Sequence, residues 1–307
     1  GFELSVSWRD QFQLASKPFN YEVRFTLADY QSTIDKYNNP EKKLGDDYYY
    51  EGMKVGEIWG YETEGFFTSQ ADIDSHAKQP YFYAGATAGQ WLPGDIKFKD
   101  LNGDGVIDYG NNTVDNPGDQ KIIGNSEPRF IYGINLSGDW NNFFVSAFFQ
   151  GVGKQDWWPG SEASYFWGMY NRPYNDMPKS HLGNIWTEEN PNTYFPRLRG
   201  YSSEEPYAEL NLKQTRYLQN IAYIRMKNIQ LGYTLPKSFI SKLRMQNAKV
   251  YVSGENLWSW SPFYKYSKDL DVEAVRGSDR DLTEGTSGNG YSYPILKSVS
   301  FGLSVTF

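Results

Sequence analysis

Nine residues offer the most specific chemistry in this chain: Asp100-Leu101-Asn102-Gly103-Asp104-Gly105-Val106-Ile107-Asp108. Asp100, Asn102 and Asp104 fall at positions one, three and five of a loop and put three oxygen-bearing side chains round one point. Gly105, at position six, permits the sharp turn. Val106 supplies a backbone carbonyl at position seven, and Asp108 a carboxylate at position nine. This is the spacing of an EF-hand loop, suited to a hard cation with oxygen ligands at about 2.3–2.6 Å, so calcium is the expected ion. Position twelve is Asn111 where a bidentate Glu is usual, so another carboxylate must complete the shell. No flanking helices are expected, which makes the loop a structural clip rather than a sensor. The bland reading is a metal-free Asp/Gly turn.

Aromatic residues are the second candidate chemistry. Trp157, Trp158, Tyr165, Phe166, Trp167, Tyr170 and Tyr174 crowd one segment, and Trp258, Trp260, Phe263, Tyr264 and Tyr266 another. Flat rings can stack on sugar faces, so Trp157, Trp158, Tyr165, Trp167, Trp258 and Trp260 are candidate substrate contacts. An interfacial girdle, packing against a partner, or filling of a loop core would use the same residues. Catalysis fares worse. The two histidines, His76 and His181, lie in separate segments, and no Ser-His-Asp order, phosphate loop or zinc pattern occurs. A glycosidase needs two suitably spaced carboxylates, and 37 acidic residues make coincidental pairs unavoidable. The chain is not expected to be an enzyme.

The elements that must position these residues are strands. Phe2, Leu4, Val6 and Trp8 alternate with Glu3, Ser5, Ser7 and Arg9; Tyr21, Val23, Phe25 and Leu27 alternate with Asn20, Glu22, Arg24 and Thr26. Period two over such lengths suits membrane-crossing strands of about 9–11 residues. A turn is expected at Ser16-Lys17-Pro18. Further strands are expected from Phe130 to Leu136, with a turn over Gly138–Asn142, and over Phe144–Phe149, Tyr217–Leu235, Lys249–Glu255 and Ile295–Phe307. In the fifth, Tyr223, Arg225, Lys227, Ile229, Leu231 and Tyr233 share one parity. Glu57–Phe67 is partly strand-like, and Ser238–Met245 allows one or two helical turns.

Connections after Arg9, Leu136 and Leu235 are short, while those after Ala28, Phe149 and Asn256 run to about 100, 65 and 38 residues, with strand ends uncertain by a few residues. This strict alternation is the habit of transmembrane barrels, with short periplasmic turns and long extracellular loops. It puts the C-terminus on the periplasmic side. Seven strands cannot close a membrane barrel, and open edges in lipid cost several kcal/mol per unpaired group. A hidden strand or further barrel outside this sequence is therefore required; the second is favoured. The last strand, with Val299, Phe301, Leu303, Val305 and Phe307 on one parity, resembles the terminal signal that outer-membrane assembly machinery reads.

Composition agrees. Mean hydropathy is -0.67, and no apolar run reaches the length of a membrane helix. Barrel strands average out to polar, so this does not exclude a membrane. The 25 Tyr, 19 Phe and 10 Trp suit a barrel with aromatic girdles or a carbohydrate-binding surface. Cysteine is absent, which excludes disulfides and thiolate metal sites. A net charge of -7 argues against nucleic acid as partner. No signal peptide opens the chain, and the numbered start reads as the middle of a strand.

Several motifs, in this order, make the chain similar to the SusC/RagA family of TonB-dependent outer-membrane transporters. They are Pro93-Gly94-Asp95-Ile96-Lys97-Phe98-Lys99, the Asp/Gly loop, and Lys121 to Phe130 (KIIGNSEPRF). Tyr132-Gly133, Phe148-Phe149-Gln150-Gly151, Tyr223 to Pro236 (YIRMKNIQLGYTLP), Gly254-Glu255-Asn256-Leu257 and Tyr293-Pro294 to Phe307 complete the set. The resemblance covers nearly the whole chain. It implies an all-β fold: the C-terminal part, over residues 1–307, of an antiparallel transmembrane barrel of about 22 strands with a plugged lumen. The plug and the earlier strands would lie outside this sequence. Residues 31–127, 151–216 and 258–292 become long extracellular loop regions. The resemblance implies import of an oligosaccharide, or alternatively of a peptide. It also implies a SusD-like lipoprotein lid on the loops, and TonB-ExbB-ExbD acting through the plug. In the family an Asp–Arg or similar pair follows the calcium-like loop closely. Asp119-Gln120 stands there in this chain, displaced by an insertion over Tyr109–Gly118, so Asp119 is the residue implied as the further calcium ligand.

The competing expectation is a secreted, calcium-stabilised carbohydrate-binding β-domain. A sandwich needs two sheets sharing an apolar core. An importer needs an outward apolar band about 25 Å tall with aromatic edges.

Overall fold

A computed structural model describes residues 1–46, 48–80, 90–161, 163–199, 203, 208–275, 290 and 292–307. Parts of the three expected loop regions, at 81–89, 200–202, 204–207 and 276–289, lie outside the described residues. In chain order the strands are β1 (Phe2–Leu14), β2 (Lys17–Asp29), β3 (Glu57–Tyr61), β4 (Thr63–Phe66), β5 (Ile96–Phe98), β6 (Gln120–Asn125) and β7 (Arg129–Trp140). There follow β8 (Phe143–Lys154), β9 (Asp156–Trp157), β10 (Gln219–Asn220), β11 (Tyr223–Thr234), β12 (Asn247–Trp260) and β13 (Ser298–Thr306). Seven of them make one antiparallel meander, β1-β2-β7-β8-β11-β12-β13, which is not closed into a barrel. The strand-like stretch at Glu57–Phe67 is real but stays out of this sheet: β3 pairs with β6, and β4 with β5.

Pairing register turns the sequence alternation into two opposed faces, because side chains on a strand point alternately to either side. One row of cross-strand neighbours reads Trp8, Val23, Leu136, Ala147, Ile229, Gly254 and Val299. An adjoining row on the same face reads Tyr21, Gly138, Val145, Leu231, Val252 and Phe301. On the other face one row reads Arg9, Glu22, Ser137, Ser146, Gln230, Ser253 and Ser300. The apolar face is uncovered: Trp8 is 62% exposed and Phe301 87%. A soluble monomer rarely leaves so broad an apolar surface to water. The two sheets and shared core of a sandwich are not what the described residues form. Among them no helix is long and apolar enough to cross a membrane, which says nothing of crossing by strands.

The connections alternate as the sequence predicts. Ala15-Ser16 and Asn141-Asn142 make two-residue turns with positive φ at all four residues, the geometry that matches strand twist in a hairpin. The first turn therefore precedes the expected Ser16-Lys17-Pro18, and the second confines itself to the end of Gly138–Asn142. A tail of helix at Lys237–Ile240, continued as a 3-10 turn over Ser241–Leu243, fills the third short connection. The long connections leave β2, β8 and β12 at the opposite end, and Phe307 follows β13 at the short-turn end.

The fifth strand departs from its expected parity. A bulge at Lys227, between Met226 and Asn228, inserts one residue and reverses the alternation. Tyr223 and Arg225 thus lie with the polar face, opposite Val152 and Gln150, while Ile229, Leu231 and Tyr233 lie with the apolar face. Tyr217–Ala222 are not part of this strand.

Candidate functional site

Beyond the sheet, the three long connections pack on one another through an aromatic core of their own. Trp157, Phe166, Trp167, Tyr170, Phe195, Tyr217 and Phe263 are all buried in one cluster. Phe195 stacks on Tyr217 with centroids 5.9 Å apart, and Trp157 meets Phe263 edge-on at 5.9 Å. A long connection that leaves a membrane must bury apolar area to hold a shape, and aromatic rings bury the most per residue.

This placement corrects part of the substrate-contact expectation. Trp157 and Trp167 are 4% and 0% exposed, and the Trp167 indole N–H donates to the Pro159 and Gly160 carbonyls. They are structural fillers, closed to a ligand in this arrangement. Trp158 is partly buried against the same cluster. Trp258 and Trp260 are exposed, but they pair with Met226 and Ile224 on the apolar face of the sheet, at its long-connection end. That is the place of an interfacial ring, whose amphipathic indole suits the headgroup level. Tyr165 alone of the six stands exposed on a long connection. At the other end of the apolar face Phe12, Phe19 and Tyr21 cluster, and Phe143 meets Tyr233 at 4.7 Å. Phe301, Leu303 and Val305 lie on that apolar face, and Phe307 is exposed just past β13.

The Asp/Gly loop closes on its own backbone. Gly103 N and Gly105 N donate to the Asp100 carboxylate at 2.6 and 2.9 Å, Asp104 N donates to Asn102 Oδ1 at 2.9 Å, and Val106 N donates to Asp104 Oδ1 at 2.8 Å. Asp119 is fully buried and staples the two ends: Leu101 N donates to its Oδ1 at 2.6 Å and Asp108 N to its Oδ2 at 2.9 Å. Asp108 returns a carbonyl to Asp119 N and a carboxylate oxygen to Gly110 N. Gly118, at φ +59, runs so close to Gly110 and Asp108 that a Cβ there would collide with backbone. The insertion Tyr109–Gly118 is thereby tied down. Among the described residues no three His, Asp or Glu side chains gather to hold a metal ion.

Two buried charge clusters join the connections, and sequence reading missed both. Asp95 is fully buried, and the Arg199 side chain is 2% exposed. Arg199 Nε donates to Asp95 Oδ1 at 2.8 Å, its Nη2 to Asp95 Oδ2, and Leu92 N caps the same carboxylate at 2.7 Å. Arg197 approaches at 3.6 Å. Beside them Glu209 is fully buried, accepting from Ile96 N at 2.8 Å with Oε2. The second cluster fastens the last long connection to β11: Arg225 contacts Asp271 at 2.5 Å and Glu273 at 2.7 Å, and Lys227 reaches Glu273 from the bulge. Partners 46 or 104 positions apart leave no local signal.

Burial, with Asp95 beside it, pushes the Glu209 carboxyl up to about 8 from an ordinary 4.5. The folded protein thus holds a proton that the unfolded chain releases above its own lower value. Stability from this group is complete below pH 4.5 and falls as pH rises through about 8. Glu209→Gln keeps the shape without the ionisation. Its melting temperature is expected to stay flat from pH 6 to 9 while the parent's falls, as followed by differential scanning fluorimetry; parallel curves would refute the assignment. The histidines are structural: His181 Nε2 sits 2.9 Å from the Phe166 carbonyl, and burial pulls it down to about 4, while His76 Nε2 lies 2.8 Å from the Phe98 carbonyl.

No protein-family model matches the chain. It is 26% identical over 325 aligned residues to TonB-dependent receptor P3 of Formosa agariphila, an alignment that takes in all of this chain and 28% of that receptor. It is 29% identical over 264 residues to TonB-dependent receptor P26 of the same organism, covering 83% of this chain and 23% of the relative. Among solved structures, that of the RagAB peptide transporter aligns with 99% of this chain and 29% of its own, at a TM-score of 0.64 and 17% identity. The RagAB peptide importer in its open-open state gives 0.58 and 18%. The chain spans 23–29% of the length of these proteins. One sheet with an uncovered apolar face, long connections at one end and likeness along its whole length mark this chain as a stretch of an antiparallel transmembrane barrel, similar in sequence to TonB-dependent receptors and in fold to the RagAB transporter.

Proposed function

We propose that the chain forms part of the wall and outer vestibule of an importer in the bacterial outer membrane, driven by TonB-ExbB-ExbD through a plug. The observation that supports this best is the pair of opposed faces, apolar toward lipid and polar toward a wet lumen, with every long connection at one end. In this reading the short turns and Phe307 are periplasmic and the long connections extracellular. A SusD-like lipoprotein would cover the latter, where Tyr165, Tyr174, Met177 and Leu182 offer exposed apolar side chains. The imported nutrient is an oligosaccharide or a peptide, and the solved neighbours transport peptides. Wall and vestibule residues do no bond chemistry here: the protein selects and passes, and catalysis is not part of the role.

Uptake is the test. Cells with the full-length receptor are expected to accumulate a labelled oligosaccharide or a labelled peptide. Deletion of the receptor, or a protonophore, abolishes it. Uptake that survives both treatments overturns the proposal, and whichever label enters names the substrate class.

Calcium at Asp100–Asp108 is proposed on the spacing, with oxygens from Asp100, Asn102, Asp104, Asp108 and the Val106 carbonyl as ligands and Asp119 as staple or further ligand. Millimolar calcium is expected to raise the melting temperature of the receptor, and Asp104→Asn to remove most of that rise. An equal rise in the variant, or none in the parent, eliminates the ion.

A further inference from the structure

A cavity of about 520 Å³ lies between the second and third long connections, at the edge of the aromatic cluster, whose Phe195 forms part of its wall. Arg216, Lys265, Ser180, Asn184, Tyr194 and Tyr266 line it, and no Asp or Glu does. Tyr194 and Tyr266 stack at 4.0 Å, nearly parallel, and make one wall.

The two cations of this cavity differ from the arginines of the buried charge clusters. Arg199 and Arg225 each meet a carboxylate, whereas neither Arg216 nor Lys265 has an ion-pair partner among the described residues. Arg216 is nevertheless held in place. Its Nε donates to the Tyr194 carbonyl at 2.9 Å and its Nη2 to the Thr193 carbonyl at 2.5 Å, and the guanidinium lies 4.2 Å from the centre of the Phe66 ring. Nη1 makes no hydrogen bond among the described residues. A guanidinium fixed by carbonyls and a ring, half-buried and facing no acid, is preorganised for an anion: its planar fork matches a carboxylate. Lys265, exposed at the rim, adds a second positive charge. Hydroxyl and amide groups of Ser180 and Asn184 can complete the contacts of a polar ligand. The volume suits one or two sugar units or amino-acid residues, at the lower part of the range for small-molecule sites.

We propose that this cavity binds the carboxylate of a ligand, with Arg216 as the fork and Lys265 as the rim charge. The carboxylate belongs to a free peptide C-terminus or to a uronic acid. The use of the site in import rests on the function proposed above, but binding does not.

Calorimetry on the full-length receptor in detergent tests it with four probes: trialanine, trialanine amide, digalacturonate and its methyl ester. At least one carboxylate form is expected to bind about tenfold or more tightly than its capped counterpart, since hydrogen bonds to charged groups are the strong ones. The source is whichever pair shows this. Lys265→Ala, at an exposed position, is expected to fold normally and weaken that binding about fivefold, less so at high salt. Arg216→Gln is expected to abolish the preference. Equal affinity for capped and uncapped forms, no binding by either carboxylate, or unchanged affinity in Lys265→Ala overturns the proposal. Absence of the preference in the parent receptor, with intact energised uptake, would reject this site and leave import standing; carboxylate binding without energised uptake would reject import alone.

Discussion

Ile229→Arg is expected to lower the stability of the membrane-inserted receptor by about 2–4 kcal/mol, the cost of a charge at the middle of a barrel's lipid face. Ile229 lies in the central row of the apolar face, between Ala147 and Gly254. Its chain neighbour Gln230 occupies the polar row between Ser146 and Ser253. Gln230→Arg introduces the same side chain one residue on, yet meets water and is expected to shift stability by no more than about 0.5 kcal/mol. Denaturant midpoints of receptor folded into phospholipid vesicles read both. The contrast between neighbours matters more than either value, because only a sheet with lipid on one side separates them. In a water-surrounded sheet an added charge on the open apolar face would be close to neutral.

Asp95→Ala carries a similar expected cost in the outer region. It removes a fully buried carboxylate from against the Arg199 guanidinium, itself 2% exposed. Breaking such a pair from one side costs about 3–5 kcal/mol, since a charge stays in a place of low polarity. The pair joins the first and second long connections, so the loss should be local. Amide exchange is expected to quicken over Phe67, Ile96 and Leu210 while the strands of the main sheet keep their protection. Replacing both partners, Asp95→Leu with Arg199→Met, is expected to recover much of the loss, because two charges then leave the interior together. If the single and double variants are equally unstable, the ion pair is not what holds this junction.

How much of this was legible beforehand follows from the range of each signal. Period two is local, so the strands, their two faces and the alternation of short and long connections could be read from residues such as Val23 and Arg24. Strand ends could not, because pairing extends β8 and β12 well past Phe149 and Glu255. The parity of β11 was misread from Tyr223 through Tyr233 because one bulged residue, Lys227, leaves no mark in composition and yet flips every side chain before it. The aromatic residues of the second long connection were legible as a cluster but not as an interior. Whether Trp167 faces a ligand or Tyr217 depends on chain returning from some fifty residues away. The same holds for Asp95 with Arg199 and for Arg216 with Lys265: each pairing is made by tertiary packing, and neither segment alone announces it. The Asp/Gly loop lies between these cases. Its turn was readable from Gly105, while the role of Asp119 as a backbone staple was not.

The central claim is that lipid meets one face of the seven-stranded sheet and water the other. Cysteine is absent from these 307 residues, so single cysteines can be introduced one at a time from Val299 to Val305 and spin-labelled in vesicles, in a full-length receptor in which any cysteine outside this stretch is first replaced by serine. Collision with oxygen, which concentrates in lipid, and with a water-soluble nickel chelate is then measured at each position. Oxygen accessibility is expected to peak at Val299, Phe301, Leu303 and Val305, and nickel accessibility at Ser300, Gly302 and Ser304. Uniformly high nickel accessibility on both parities would contradict the account.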